Sequence, residues 1–152
     1  MQLSVRRARP GDADAIAGLY LRARHAAAAA GTIPELAHFD DDVRNWVARV
    51  VIPRGDCWLA ERAPGAAVGM LVLAEDWIDQ MYVDPQLTSG GIGAALTAVA
   101  KRERPRGLRV MAFVSNAGAQ RFYRRHGFRE LRRTDGSGNE EGAPDIEYAW
   151  AP

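Results

Sequence analysis

The sequence predicts an α/β (α+β) fold in a single domain covering residues 1–152, and three observations carry that expectation. Across 77–101, W-I-D-Q-M-Y-V-D-P-Q-L-T-S-G-G-I-G-A-A-L-T-A-V-A-K, an apolar period of two gives way to one of 3.6, so a strand, a glycine-bearing turn and an amphipathic helix follow one another. The same succession recurs over 108–126, where a loosely alternating run meets Ser115-Asn116 and then a helical pattern. Two apolar runs, 57–61 and 68–74, flank Pro64-Gly65 as strands flank a hairpin turn. A chain of 152 residues suits one core, and no proline- or serine-rich linker divides it.

Taken in order, a strand over 3–7 precedes Arg9-Pro10-Gly11-Asp12, where Asp12 is the expected cap of a helix burying Ile16, Leu19, Tyr20 and Ala23. The alanine run 26–30 has the propensity to extend that helix, and Gly31 to stop it. A second helix over 40–52 groups Val43, Trp46, Val47 and Val50 and closes at Pro53; Asp40, Asp41 and Asp42 suit the positive end of its dipole. After the hairpin comes the strand ending at Val83 before Asp84-Pro85, with Ile78, Gln80 and Tyr82 on one side and Asp79, Met81 and Val83 on the other. The next helix gathers Ile92, Ala95, Leu96, Val99 and Ala100 on one face. Beyond the strand 108–114, the helix 117–126 places Ala119, Phe122, Tyr123 and His126 together, and Gly127 stands where a left-handed C-cap is expected. A segment 128–134, a polar loop 135–144 and a strand 146–150 complete the chain.

The turn Thr88-Ser89-Gly90-Gly91-Ile92-Gly93 carries small side chains at a helix start, so backbone N–H groups and the helix dipole converge on a site for phosphate. It is not a Walker loop, because no Gly-Lys-Ser/Thr follows a first glycine at the required distance. Nor is it a dinucleotide fingerprint, since Gly91-Ile92-Gly93-Ala94-Ala95-Leu96 lacks the third small residue. Read alone, the turn is equally a strand-to-helix connection without a ligand.

Two segments together resemble the Gcn5-related N-acetyltransferase (GNAT) superfamily. The strand ending M-Y-V-D-P and the turn 88–93 are similar to its central Q/R-x-x-G-x-G/A motif, with Gly91 and Gly93 matching and Thr88 standing where Gln or Arg is usual. The string N-x-x-A-x-x-F-Y-x-x-x-G-F from Asn116 to Phe128 is similar to its second cofactor segment. The resemblance implies a central mixed, mostly antiparallel, twisted sheet of about seven strands flanked by about four helices, splayed between the strands ending near Val83 and Val114. It implies acetyl-CoA (coenzyme A) as cofactor, held by Met81, Tyr82, Val83, Thr88, Ser89, Gly90, Gly91, Ile92, Gly93, Ala94, Asn116, Ala119, Phe122 and Tyr123. Backbone groups of Met81 and Val83 would pair with the pantetheine arm as a sheet edge pairs with a peptide.

By the same resemblance, transfer from acetyl-CoA to a primary amine proceeds by direct attack in a ternary complex. Tyr123 matches the tyrosine that protonates the leaving thiolate, with a buried core aromatic as the other reading of that residue. Asp79 stands near the strand position where some members carry a glutamate general base; Glu75 and Asp76 are neighbours that can share the task, and a polar strand residue is the plainer reading. For the acceptor side the resemblance points to Glu35, Asn139, Glu140 and Glu141, of which the three glutamates suit a cationic amine. The alternative function is a non-catalytic acyl-CoA-binding sensor or scaffold, favoured by Thr88 and the open choice of base and disfavoured by Tyr123.

Twenty basic against nineteen acidic side chains give a formal net charge of +1, which argues against a general nucleic-acid binder. One cysteine excludes an internal disulfide, Cys57 reads as core, and His25, His38 and His126 lack metal spacing, so no metal is expected. No apolar stretch reaches bilayer length and no signal peptide is visible, so the expected location is cytoplasmic, away from membranes. The expected partner is a small-molecule amine or a peptide amine, with a homodimer an open assembly.

Overall fold

The computed structural model describes residues 2–87 and 90–152, so the expectations placed on Thr88 and Ser89 lie outside the described residues. Seven strands form one sheet in the order β1-β2-β3-β4-β5-β7-β6: β1 (Ser4–Arg7), β2 (Cys57–Glu61), β3 (Ala67–Ala74), β4 (Trp77–Val83), β5 (Leu108–Phe113), β6 (Arg129–Thr134) and β7 (Asp145–Trp150). Every pairing is antiparallel except β4 with β5, which is parallel and consists of one register pair, Trp77 with Arg109.

Helices α1 (Ala13–Ala29) and α2 (Asp40–Trp46) cover one face, and α3 (Ile92–Glu103) and α4 (Ala117–Arg125) the other. Alternation along the strands sorts the core accordingly. Cys57, Leu59, Met70 and Val72 meet Ile16, Leu19 and Val47 beneath α1 and α2, while Trp58, Leu71 and Leu73 meet Leu96, Val99 and Ala100 beneath α3. Burial pushes the Cys57 thiol up to about 12, in keeping with a core residue. The helix expected over 40–52 runs that far, but its last part, Val47–Val51, is wound as a π turn, which brings Val51 and Ile52 into the core with Val43 and Val47. Val50, expected on the buried face, is only half-buried.

Three local expectations are corrected, and one polar loop proves to be well braced. Asp12 does not cap α1: its carboxylate accepts from the Arg9 N–H at 2.7 Å and from both Arg6 guanidinium nitrogens, closing the short 3-10 turn Pro10–Asp12 instead. That arginine holds the Asp12 carboxyl down at about 2. In β4 the alternation slips, because Gln80 faces Val72 and Ile78 faces Leu73, leaving Asp79 as a bulge residue without a partner. Ile78 therefore packs on the α3 face with Met81 and Val83, and Tyr82 on the α1 face. On α3, Thr97 is buried while Ala95 is half-buried, and the Thr97 hydroxyl is absorbed by the Gly93 carbonyl at 2.8 Å. Finally, the loop 135–144 is built rather than merely solvated. The Asn139 side chain donates to the Ala143 carbonyl and to Asp145 and accepts from the Ala143 N–H, and Gly136 lies so close to the Ala143 backbone that a β-carbon there has no room.

α3 approaches the sheet over Gly69. A β-carbon at that position would lie 2.7 Å from Ile92 Cγ2 and 3.0 Å from Leu96 Cδ1, so hydrogen is what allows the helix to sit where it does. Gly69→Ala is expected to cost about 1–3 kcal/mol by overpacking and to lower Tm by several degrees in thermal unfolding. Adding Ile92→Ala should cost less in the Gly69→Ala background than in wild type; strictly additive losses would show that the contact does not govern the packing.

Candidate functional site

The single β4–β5 pair lies at the start of both strands, where the Arg109 N–H donates to the Asp76 carbonyl at 2.9 Å. Beyond it the strands separate, and a cleft of about 1000 Å³ opens between them. Its walls are Asp79 to Val83 of β4, Val110 to Phe113 of β5, Gly91, Gly93 and Ala94 at the start of α3, and Asn116, Ala119, Phe122 and Tyr123 of α4.

The backbone of β4 decides what this cleft can hold. The Asp84 N–H donates to the Val68 carbonyl at 2.9 Å, which fixes the parity of the strand's end: Gln80 and Tyr82 direct their backbone groups to β3, and Met81 and Val83 direct theirs into the cleft. An edge of this kind accepts an extended, amide-bearing molecule as an extra strand. At its end, Gly91 is the N-cap of α3 with φ +75°, a left-handed conformation that glycine adopts without strain. Among the described residues nothing crowds a β-carbon built at Gly91, so the left-handed conformation is what demands glycine there. Gly93 is different: its β-carbon would press on the Phe122 ring at 3.1–3.2 Å, so Gly93 is small because α4 leans on it. Ile92 is buried with its side chain in the core, leaving only its backbone near the turn.

α4 is positioned by its two ends. Asn116 accepts from the Ala119 N–H at 3.1 Å as the N-cap. At the other end the Phe128 N–H reaches the Tyr123 carbonyl at 2.9 Å and the Gly127 N–H the Arg124 carbonyl at 3.2 Å, with Gly127 at φ +88° and the Phe128 and Tyr123 rings 5.4 Å apart. This is a Schellman ending with its apolar contact. It sets Tyr123 on the cavity wall among Phe122, Phe128 and Tyr148. Burial raises the Tyr123 phenol above its ordinary range, so the group keeps its proton at neutral pH. Gln120, which the sequence reading passed over, donates to the Phe113 and Val114 carbonyls and ties α4 to the end of β5.

Asp79 stands across the cleft on the β4 bulge. Its carboxyl is held above the ordinary range by burial against the surrounding protein, a shift that the nearby Arg54 charge and a hydrogen bond with Gln80 oppose, although one side of the residue remains exposed to solvent. Glu75 and Asp76, offered as alternatives, lie instead in a separate depression with Asp56, Glu103 and Arg104. Structure thus brings Asp79 and Tyr123 onto one cavity and removes Glu75 and Asp76 from it.

The four residues expected on the acceptor side do not line this cavity. Glu141 is paired with Arg24 at 3.4 Å, Glu140 with His38 at 3.0 Å, Asn139 is spent within its own loop, and Glu35 is exposed. Beside α1 the cavity is walled by Ala23, Ala26, Ala27, Thr32 and Ile33, and the Ser115 hydroxyl donates to the Thr32 carbonyl at 2.8 Å. Behind that wall Arg24 is 5% exposed, donates to the Tyr82 hydroxyl at 3.2 Å, and leaves its Nε without a partner among the described residues. Tyr82 is packed edge-on against Tyr20. Among the described residues no group of three His, Cys, Asp or Glu is placed to hold a metal ion, and no helix is long and apolar enough to cross a membrane.

Residues 53–130 match the profile described as an acetyltransferase (GNAT) domain. No curated protein matches the sequence. Among solved structures, the chain is similar to apo YjaB from Escherichia coli, at 23% identity over 99% of this chain and 98% of that one, with a TM-score of 0.77. It is similar to the PaiA N-acetyltransferase of Thermoplasma acidophilum, solved in complex with coenzyme A, at 14% identity over the whole of both chains and a TM-score of 0.69. The ribosomal-protein-S18-alanine N-acetyltransferase of Escherichia coli aligns at 16% identity over 99% of this chain and 94% of that one, TM-score 0.69. At such identities the likeness is one of fold.

The Arg24–Glu141 pair anchors the loop 135–144 to α1. Arg24→Met should leave Glu141 uncompensated and speed hydrogen exchange of the amides at 139–142 by roughly tenfold or more. Unchanged exchange would mean that Asn139 alone orders the loop.

Proposed function

Because the chain belongs to the GNAT acetyltransferase family, we propose that it transfers the acetyl group of acetyl-coenzyme A to the primary amine of a small acceptor, with both held at once in the cleft between β4 and β5. The observation that carries this reading is the open edge of β4, whose Met81 and Val83 backbone groups lead to the left-handed Gly91 at the start of α3. The edge suits the two amides of a pantetheine arm, and the N–H groups at the helix start suit a pyrophosphate. Bound acetyl-coenzyme A supplies an activated thioester and a thiolate leaving group.

The chain's own residues then hold and move protons. Tyr123, kept as a phenol by burial, donates toward the leaving sulfur. Asp79 accepts the proton of the incoming ammonium, directly or through a water; its raised carboxyl makes it a stronger base than an ordinary exposed aspartate. The acceptor body meets Ala23, Ala26, Ala27 and Ile33, while Glu140 and Glu141 have basic partners, so an amine with a short apolar body suits the pocket better than a polycation.

Incubation of the protein with acetyl-coenzyme A and a panel of primary amines tests the reading, with amine-dependent thiol release the expected result. Binding of the cofactor without such release would make the chain an acyl-CoA-binding module. With a working acceptor, Tyr123→Phe should lower kcat by roughly ten- to a thousandfold with cofactor affinity little changed; unaltered turnover would return Tyr123 to the core. For Asp79 the sign is set by its active form, the carboxylate. Activity falls as pH drops through a pKa above the ordinary aspartate value, and Asp79→Asn should remove that limb, lower kcat, and recover partly at high pH where the amine is already neutral. A pH–rate profile that stays where it was would exclude Asp79 as the base.

A further inference from the structure

The motif at the start of α3 has a short side chain, Thr88, where its relatives' pattern carries a long polar one. The antiparallel run β2-β3-β4 places the end of β2 beside the end of β4, so the β2–β3 hairpin and the β4–α3 turn share one end of the sheet. Arg62, the residue after β2, reaches across that end. A β-carbon built on Gly90 would run into its Nη2, so the guanidinium lies over this part of the turn. Two carboxylates flank these segments, and both have arginine partners of their own: Glu61 pairs with Arg6 at 2.9 Å and Asp84 with Arg22 at 3.7 Å.

We propose that Arg62 is the cation of the pyrophosphate subsite, supplied from the β2–β3 hairpin in place of the side chain that position 88 lacks. This rests on the coenzyme A reading above and goes beyond it by assigning a residue outside both cofactor segments. A guanidinium offers paired donors to phosphate oxygens that a threonine hydroxyl does not. A β-carbon at Gly90 would meet the Arg62 guanidinium, which would then have to shift.

Calorimetric titration of the whole chain with coenzyme A and, separately, with pantetheine tests this. Arg62→Gln should weaken coenzyme A binding by roughly ten- to a hundredfold, the range of a charge-assisted hydrogen bond, flatten the dependence of Kd on salt, and leave pantetheine affinity unchanged. Gly90→Ala, which displaces the guanidinium without removing it, should give a similar loss, and the double variant should lose no more than either single one. If the wild type binds coenzyme A and Arg62→Gln binds it equally well, this inference falls alone. A wild type that does not bind coenzyme A overturns the functional reading and takes this inference with it.

Discussion

Everything in this molecule depends on two parallel strands that pair once and then part. The β4–β5 pair at Trp77 and Arg109 joins the first half of the sheet to the second, and separation beyond it creates the cleft. A sheet does not open without cost, because each backbone group left without a partner forgoes about 1 kcal/mol or more. The opening persists because the halves are held by other means. β4 is paired with β3 on its far side at every residue but Asp79, β5 is paired with β7 along its whole length, and one apolar cluster beneath α3 and α4 draws residues from both halves, from Trp58 and Leu71 to Leu108 and Tyr148. The bulge at Asp79 turns the β4 backbone so that Met81 and Val83 present their groups to the gap.

Small residues along this route are small for different reasons. Gly69 lets α3 come down on β3, Gly91 turns the chain left-handed into that helix, and Gly93 makes room for the Phe122 ring. A glycine pattern in sequence records all three in one letter. At Gly91 the demand is conformational, whereas Gly93 answers to the packing of α4.

What the sequence made legible was local. The limits of the strand 77–83, the helix opening at Ile92, the Asn116 cap and the Gly127 ending each depend on residues a few positions apart, and the structure has them. Features set by distant partners were not legible. The slip at Asp79 is fixed by the register of β3, and no pattern within β4 announces it. The pairing of Glu141 with Arg24 spans 117 positions, so loop acids that read as free charges turn out to be tethered. Asp12 had the right residue type for a helix cap, and a neighbouring strand arginine took its carboxylate. Arg62 left no signal at all, since its significance comes from the hairpin bringing it to another turn.

The sheet's two outer strands have a bearing on how copies of the chain meet one another. β1 carries Arg6 and Arg7, and β6 reads Arg-Glu-Leu-Arg-Arg-Thr with every residue but the last exposed. Beside it, Glu147 is buried between Arg109 at 3.4 Å and Arg132 at 2.8 Å, so the charges of that flank are locked in place on the strand surface. Charged side chains along an outer strand oppose the approach of a second strand. The backbone groups that β4 leaves unpaired lie elsewhere, on an inner edge along the cleft, so that this free row faces a gap within the sheet rather than its outside.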